Sequence, residues 1–186
     1  MSPVPEPTGA GLAAAAAAEA GSPGWRSMLP AEFSAWRAEA VPGYAASQVA
    51  AGRWAAEGAL DESEREHQRL LPQGLQTPGH AFFVMTWAGA PAGHCWVADQ
   101  VQAGQPGLYI YGIEVLPWAR RRGLARYALA QVDALARERG LAHVGLHVFG
   151  NNAGARALYR EAGFDEVSVV MRKTLQPVPG GLPGQG

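Results

Sequence analysis

The chain has 186 residues, 48% hydrophobic and 17% charged, with a formal net charge of −1 and an isoelectric point near 6.5. That length supports one well-buried core, and a lone cysteine, Cys95, excludes an internal disulfide. No run of about 18 apolar residues occurs, so hydropathy gives no membrane span, and the six alanines at 13–18 lack the basic n-region of a signal sequence. A single cytoplasmic domain over residues 24–175 is the expectation. Flexible tails are expected at 1–23, rich in proline, glycine and alanine, and at 176–186.

In chain order, a short strand is predicted at 25–28, a helix at 30–40, a second helical stretch from Pro42 and a third helix at about 55–70. Residues 81–88 are strand-like, and 89–93 read as a hairpin loop into a strand at 94–98. A buried strand follows at 108–115. A helix over 121–139 would place Leu124, Ala128, Val132 and Leu135 on one face, with Gly140 stopping it. A strand at 142–148, a helix at 152–162 and a last strand at 164–173 complete a mixed α/β sheet. The pattern contains no internal repeat. His94 and Cys95 are adjacent rather than metal-spaced and read as packed strand residues.

Residues 120–125 read Arg-Arg-Arg-Gly-Leu-Ala. Pro117 cannot donate to a ladder, so the preceding strand ends there. Gly123 has no Cβ, which lets an anion come close to the backbone. A helix start offers outward N–H groups and partial positive charge, and the arginines add formal charge. Together they describe a cradle for a phosphate or diphosphate; a solvated arginine cluster is the plainer alternative. Charge is uneven along the chain. Residues 1–100 hold ten acidic and five basic side chains, net −5, and residues 101–186 hold six and ten, net +4. The C-terminal part would attract a polyanion and the N-terminal part a cationic amine. The near-neutral isoelectric point, and a basic cluster confined to one turn, argue against nucleic acid as that polyanion.

Residues 146–164 read Leu-His-Val-Phe-Gly-Asn-Asn-Ala-Gly-Ala-Arg-Ala-Leu-Tyr-Arg-Glu-Ala-Gly-Phe. The two segments, in this order, resemble the two signatures of the GNAT N-acetyltransferase superfamily. One is Arg/Gln-x-x-Gly-x-Gly/Ala after a strand ending in Val-x-Pro. The other is Asn-x-x-Ala-x-x-Leu-Tyr-x-x-x-Gly-Phe/Tyr, filled here by Asn152, Ala155, Leu158, Tyr159, Gly163 and Phe164. The likeness extends over roughly residues 24–175, and the Ile-Glu-Val and Leu-His-Val-Phe strands resemble one bacterial branch.

The resemblance implies an α/β fold: a mixed, mostly antiparallel sheet splayed between the motif strand and the following strand, flanked by helices. It implies transfer of an acetyl group from acetyl-CoA to a primary amine of a small molecule or protein, by direct attack and without a metal. Ile113 and Val115 would pair with pantetheine. Arg120, Arg121, Arg122, Gly123, Leu124, Ala125 and Arg126 would hold the diphosphate, and Asn152 and Ala155 would brace the second strand or touch the cofactor. The partners expected are an amine acceptor and a second copy in a homodimer, with neither nucleic acid nor membrane. A non-catalytic acyl-CoA-binding or sensing module is the alternative.

Three residues are candidates for proton transfer. Tyr159 fills the family slot near the CoA sulfur, where a hydroxyl can protonate the thiolate, though its neighbours also suit an aromatic packed on a helix. A base is needed because an alkylammonium, with a pKa near ~10.4, has no lone pair at neutral pH. His147 aligns with a strand position that holds a catalytic glutamate in some ribosomal-protein acetyltransferases, and its type suits proton abstraction. Glu114, a carboxylate within an apolar strand, is the rival. Each also has an ordinary structural reading as a strand residue, and a water chain without a dedicated base is a third route. The acidic run Glu57, Asp61, Glu62, Glu64 and Glu66 reads as a solvated helix face, with a lure for the acceptor as the alternative, since the first helices wall the acceptor site in the family.

Overall fold

The computed structural model describes residues 21–102 and 104–173. The chain divides into two compact units, Met1–Phe149 and Gly150–Gly186. The tails expected at 1–23 and 176–186 lie outside the described residues, except at 21–23, where Pro23 already pairs with Trp87.

The first unit is built on a five-stranded sheet in sequential order: β1 (Pro23–Ser27), β2 (His80–Trp87), β3 (Ala90–Gln102), β4 (Gln105–Val115) and β5 (Val144–Leu146). The first four are antiparallel, and β5 joins β4 in parallel. Helices α1 (Pro30–Ala50) and α2 (Ala59–Leu70) precede β2, and α3 (Leu124–Glu138) makes the crossover between β4 and β5. Such a crossover is what a parallel pair needs.

Apolar residues fill both faces of the sheet. Met28, Phe33, Leu71, Phe82, Val84 and Trp96 form one buried cluster, joined by Trp36 and Tyr111. Met85, Ala92, Ala119, Leu124 and Ala128 form the other, joined by Trp25, Trp87, Ile113 and Val115. The buried face of α3 is Leu124, Ala128, Leu129, Val132 and Ala136. Leu135, expected on that face, is only half-buried.

Four local expectations change. The break expected before Pro42 is absent, and α1 runs through it as one 21-residue helix. Proline removes one helix bond, but Val41 and Ala45 are buried on both sides of it, and the buried Ser63 hydroxyl of α2 donates to the Val41 carbonyl at 2.7 Å. The hairpin loop is shorter than 89–93. Ala88 and Gly89, both at positive φ (50° and 80°), make a two-residue turn, and β3 starts at Ala90. Left-handed central residues suit the twist of such hairpins. The helix expected from 121 starts at Leu124, because Arg121 (φ 65°) and Gly123 (φ 80°) are left-handed. In the second unit, 164–173 form no strand. A strand needs a neighbour for its backbone groups, and among the described residues of that unit Val167, Val169, Val170 and Met171 are exposed instead. Among the described residues of that unit, one helix forms, α4 (Ala153–Glu161).

One feature of the sheet prepares the site. β4 pairs with β5 through Leu108–Val144, Tyr109–Gly145 and Ile110–Leu146 only, then continues to Val115. On its other edge the register with β3 shifts between Trp96 and Val97, leaving Tyr111 as the extra residue. A bulge bends the strand that carries it. The two strands therefore part after Ile110, as the splayed sheet requires.

Two stability outcomes follow. Leu108 is 1% exposed beside the β4–β5 junction, so Leu108→Ala is expected to cost about 2–5 kcal/mol. Leu60→Ala, at a 56% exposed residue, is expected to cost under about 0.5 kcal/mol; urea midpoints at unchanged slope read both. Separately, Arg26 holds Glu32 through two charge-assisted contacts at 2.6 and 2.8 Å, and Glu32 also accepts the Leu29 N–H at 2.9 Å. The arginine draws the Glu32 carboxyl down to about 2. A depressed carboxylate stabilises the fold above its unfolded pKa of ~4.3 and loses that contribution as pH falls towards 2. The melting temperatures of the wild type and Glu32→Gln are expected to differ at pH 6 and to converge between about pH 4 and 2.

Candidate active site

Where β4 leaves β5, its last residues face different surroundings. Ile113 lies opposite Cys95 and packs into the α3-side cluster. Val115 lies opposite Gly93, and its carbonyl accepts the Arg120 Nε–H at 3.1 Å. Gly93 is required there, since a Cβ would stand 2.2 Å from the Glu114 carbonyl oxygen. Glu114 is directly opposite His94, with Oε2 3.7 Å from His94 Nε2, and its side chain is 56% exposed against 22% for the imidazole.

After β4 the chain makes a 3₁₀ turn at Pro117–Ala119, with Ala119 fully buried, and the three arginines come to the surface. Arg122 lies over the Trp87 ring at 5.3 Å and near Trp118 at 6.0 Å, a cation–π arrangement that limits where the guanidinium can go. Gly123 caps α3 with φ 80°, and, its chain neighbours aside, no atom of the described residues lies within 4 Å of the position a Cβ would take. The glycine thus satisfies the backbone and leaves that side open. The first α3 bond runs from the Tyr127 N–H to the Gly123 carbonyl at 2.9 Å. The amides of Leu124 and Ala125, ahead of it, point out of the helix start, the positive end of its dipole. Leu124 is anchored at 1% exposure, Ala125 is half-buried, and Arg126 is exposed. Arginines, outward amides and an open glycine side fit the diphosphate of a nucleotide-like cosubstrate.

On the α1/α2 side of the sheet, a layer of aromatic rings underlies the bulge. Tyr111 stacks on Trp96 at 4.5 Å, and Trp96 stacks on Phe82 at 5.2 Å. Trp96 Nε1 donates to His80 Nδ1 at 2.9 Å, so that nitrogen carries no proton. Burial pushes His80 below the ordinary histidine range against the pull of Asp99. Burial lowers His94 likewise, opposed by Glu114 and Glu39. Cys95 is fully buried, and burial pushes its thiol up to about 12; such a thiol has no thiolate to offer as nucleophile at neutral pH.

His147 lies one residue past the end of β5. Its Nε2 is 3.4 Å from an Arg53 guanidinium nitrogen, and the same guanidinium sits over Phe149 at 5.0 Å. An arginine has only donors, so a hydrogen bond here needs Nε2 as the acceptor. Sequence reasoning missed Arg53 because it arrives from the α1–α2 connection, 94 residues earlier. It also passed over His94, whose place opposite Glu114 depends on the bulge at Tyr111.

In the second unit, Asn152 caps α4, its side-chain oxygen accepting the Ala155 N–H at 3.1 Å. A cap of this kind is a structural use of both residues. Tyr159 follows one turn after Ala155, with its ring 5.7 Å from Phe164. Arg156 and Arg160 both grip Glu166, at 2.7 and 2.6 Å, and lower its carboxyl below the usual range.

Known proteins resemble this chain in sequence and in fold. The chain is 35% identical to the uncharacterized N-acetyltransferase YycN of Bacillus subtilis (strain 168) over 149 residues, which is 80% of this chain and 96% of that one. The crystal structure of YycN matches with a TM-score of 0.77 and 33% identity, covering 84% of this chain and 100% of its own. The uncharacterized N-acetyltransferase YdgE of the same organism is 32% identical, over 80% of this chain and 95% of its own. At the level of fold alone, AAC(6')-Iy in complex with a CoA-containing bisubstrate analogue matches with a TM-score of 0.56 and 20% identity, covering 83% of this chain and 99% of that chain. The profile of the acetyltransferase (GNAT) family matches residues 47–164, spanning β2 to β5, the arginine turn and α4. With both signatures inside that range, on a sheet that opens between β4 and β5, this chain belongs to the GNAT acetyltransferase family.

Proposed function

We propose that the protein transfers the acetyl group of acetyl-CoA to a primary amine of a small molecule or protein, in the cytoplasm. The observation that carries the reading is the turn at residues 120–126, set where β4 has parted from β5. Arg120, Arg121 and Arg122 supply formal charge, the amides of Leu124 and Ala125 supply donors, and Gly123 leaves one side open. Arg126, on the first turn of α3, adds a fourth cation to this end. The backbone of Ile113 and Val115, on the β4 edge that β5 does not cover, suits an extended pantetheine arm. Acetyl-CoA supplies an activated acetyl thioester; the chain supplies position and two proton transfers. The lone thiol, Cys95, suits a reducing compartment.

We further propose Tyr159 as the group that protonates the departing thiolate, supported by its place in the Leu-Tyr signature of a chain that belongs to the family. Asn152 and Ala155 support the same helix start through their cap.

The cofactor assignment is tested by thermal shift. Acetyl-CoA is expected to raise the melting temperature by mass action, and pantetheine, which lacks the diphosphate, to do little. Gly123→Asp is expected to abolish the shift, while Gly123→Asn keeps most of it. Both side chains tolerate left-handed backbone, so their difference isolates the charge. An undiminished shift in the aspartate variant overturns the cradle.

The proton assignment is tested by Tyr159→Phe, which keeps the ring and deletes the hydroxyl. Turnover is expected to fall by about 10²–10⁴-fold with acetyl-CoA affinity nearly unchanged. Release of CoASH with a panel of amines reads the activity. Stabilisation by acetyl-CoA without release for any amine would favour the binding-module reading.

A further inference from the structure

Most of the titratable groups around the opening are accounted for by their neighbours. His147 faces Arg53, His80 accepts from Trp96, and the buried His67 bonds to Ser63 of its own helix, with Nδ1 2.8 Å from the Ser63 carbonyl oxygen. His94 is different. It occupies β3 between Val84 of β2 and Glu114 of β4, with the Trp36 ring of α1 at 6.2 Å. A position inside a sheet with a tryptophan above it calls for an apolar side chain, because an imidazole loses hydration there. The polar group the structure places against this ring is the Glu114 carboxylate, at 3.7 Å, longer than a hydrogen bond of ordinary strength. Glu114 itself is more than half exposed and stands on the stretch of β4 that β5 no longer covers.

We propose that Glu114 and His94 form a carboxylate–imidazole pair that receives the acceptor amine, Glu114 meeting the ammonium from the opening and His94, behind it, holding the carboxylate and storing the proton. This rests on the acetyl-transfer reading and gives it a partner class: acceptors that arrive as cationic primary amines. The exposed carboxylate attracts the ammonium. One N–H proton passes to Glu114 and on to His94 Nε2, leaving a neutral amine. Its lone pair forms the new bond to the acetyl carbonyl carbon, and the C–S bond breaks with its electron pair going to sulfur. The thiolate takes its proton from Tyr159, the second N–H proton restores the tyrosine hydroxyl, and the imidazolium returns its proton to water.

The charged groups acting on His94 are Glu114 on β4 and Glu39 on α1; β2 contributes the apolar Val84. Burial keeps the imidazole neutral at neutral pH, so it is able to accept. Once charged, it is favoured by both carboxylates. His94 is thus a positioning residue acting through Glu114, and a merely structural histidine would add no limb to the rate profile.

The test has two arms on the full chain. In the first, NMR titration of the His94 ring is expected to give a pKa below the ordinary ~6.5, and Glu114→Gln to lower it further by removing the facing anion. Glu114 is exposed, so that variant is expected to fold. In the second, the kcat/KM profile over an amine panel is expected to lose activity as pH falls through the His94 value. His94→Gln is expected to remove that limb and slow the reaction by about 10²-fold or more, with the acetyl-CoA thermal shift retained. The double variant is expected to be no slower than the slower single one. Unchanged His94 titration in Glu114→Gln overturns the pair, as does a wild-type limb and rate in His94→Gln or multiplying losses in the double variant. Coupled titration without acetylation of any amine would overturn the acetyl-transfer reading, and the pair's role with it. A wild-type enzyme active on amines beside a fully active His94→Gln would overturn the pair alone.

Discussion

β4 is bonded to β5 through only three residues, and the arrangement of the site depends on that short ladder. A parallel pair that ran the length of β4 would satisfy the backbone of Ile113, Glu114 and Val115 and leave no edge to be used by a ligand. The bulge at Tyr111 bends β4, and the stacked rings of Tyr111, Trp96 and Phe82 support the bend from beneath. Gly93 lets β3 follow it at close range, because any side chain there would strike the Glu114 carbonyl. Packing of aromatic rings, one absent Cβ and a ladder that ends at Ile110 thus act together to open the sheet.

The electrostatics divide around this opening. The arginine turn follows the end of β4, with Arg120 tied to the Val115 carbonyl and Arg122 laid over Trp87 and Trp118. Each tether costs the side chain freedom before a ligand arrives, so less is lost on binding. Towards α1, the same strand presents Glu114, with His94 and Glu39 near it. A polyanionic donor and a cationic acceptor are opposite in charge, and a strand carrying arginines beyond its end and a carboxylate before it suits both.

Motif segments were legible in the sequence because their chemistry is local. Pro117 ends a strand whatever lies around it, Gly123 leaves room beside the backbone, and the apolar spacing from Leu124 to Val132 finds the core in any fold that contains the helix. Asn152 was read through the family signature, and its part as the cap of α4 came only with the structure. Expectations failed where neighbours outweigh local preference. Pro42 reads as a break, yet burial of Val41 and Ala45 and the Ser63 bond carry α1 through it. Residues 164–173 read as a strand, yet they form none, and Val167, Val169, Val170 and Met171 are exposed.

By itself, the sequence determined the order of the five sheet strands, the anion-ready turn and the family signatures, since each rests on contacts between residues a few positions apart. Only the tertiary structure decided which titratable groups face one another. A one-residue bulge changes which residue of β4 stands opposite His94, and no periodicity in the chain announces it. Arg53 meets His147 across 94 residues of sequence, a contact made by the path of the α1–α2 connection over the sheet. Chain-local forces set the parts, and the register and packing of the β3–β4–β5 ladder set which chemistry those parts can perform.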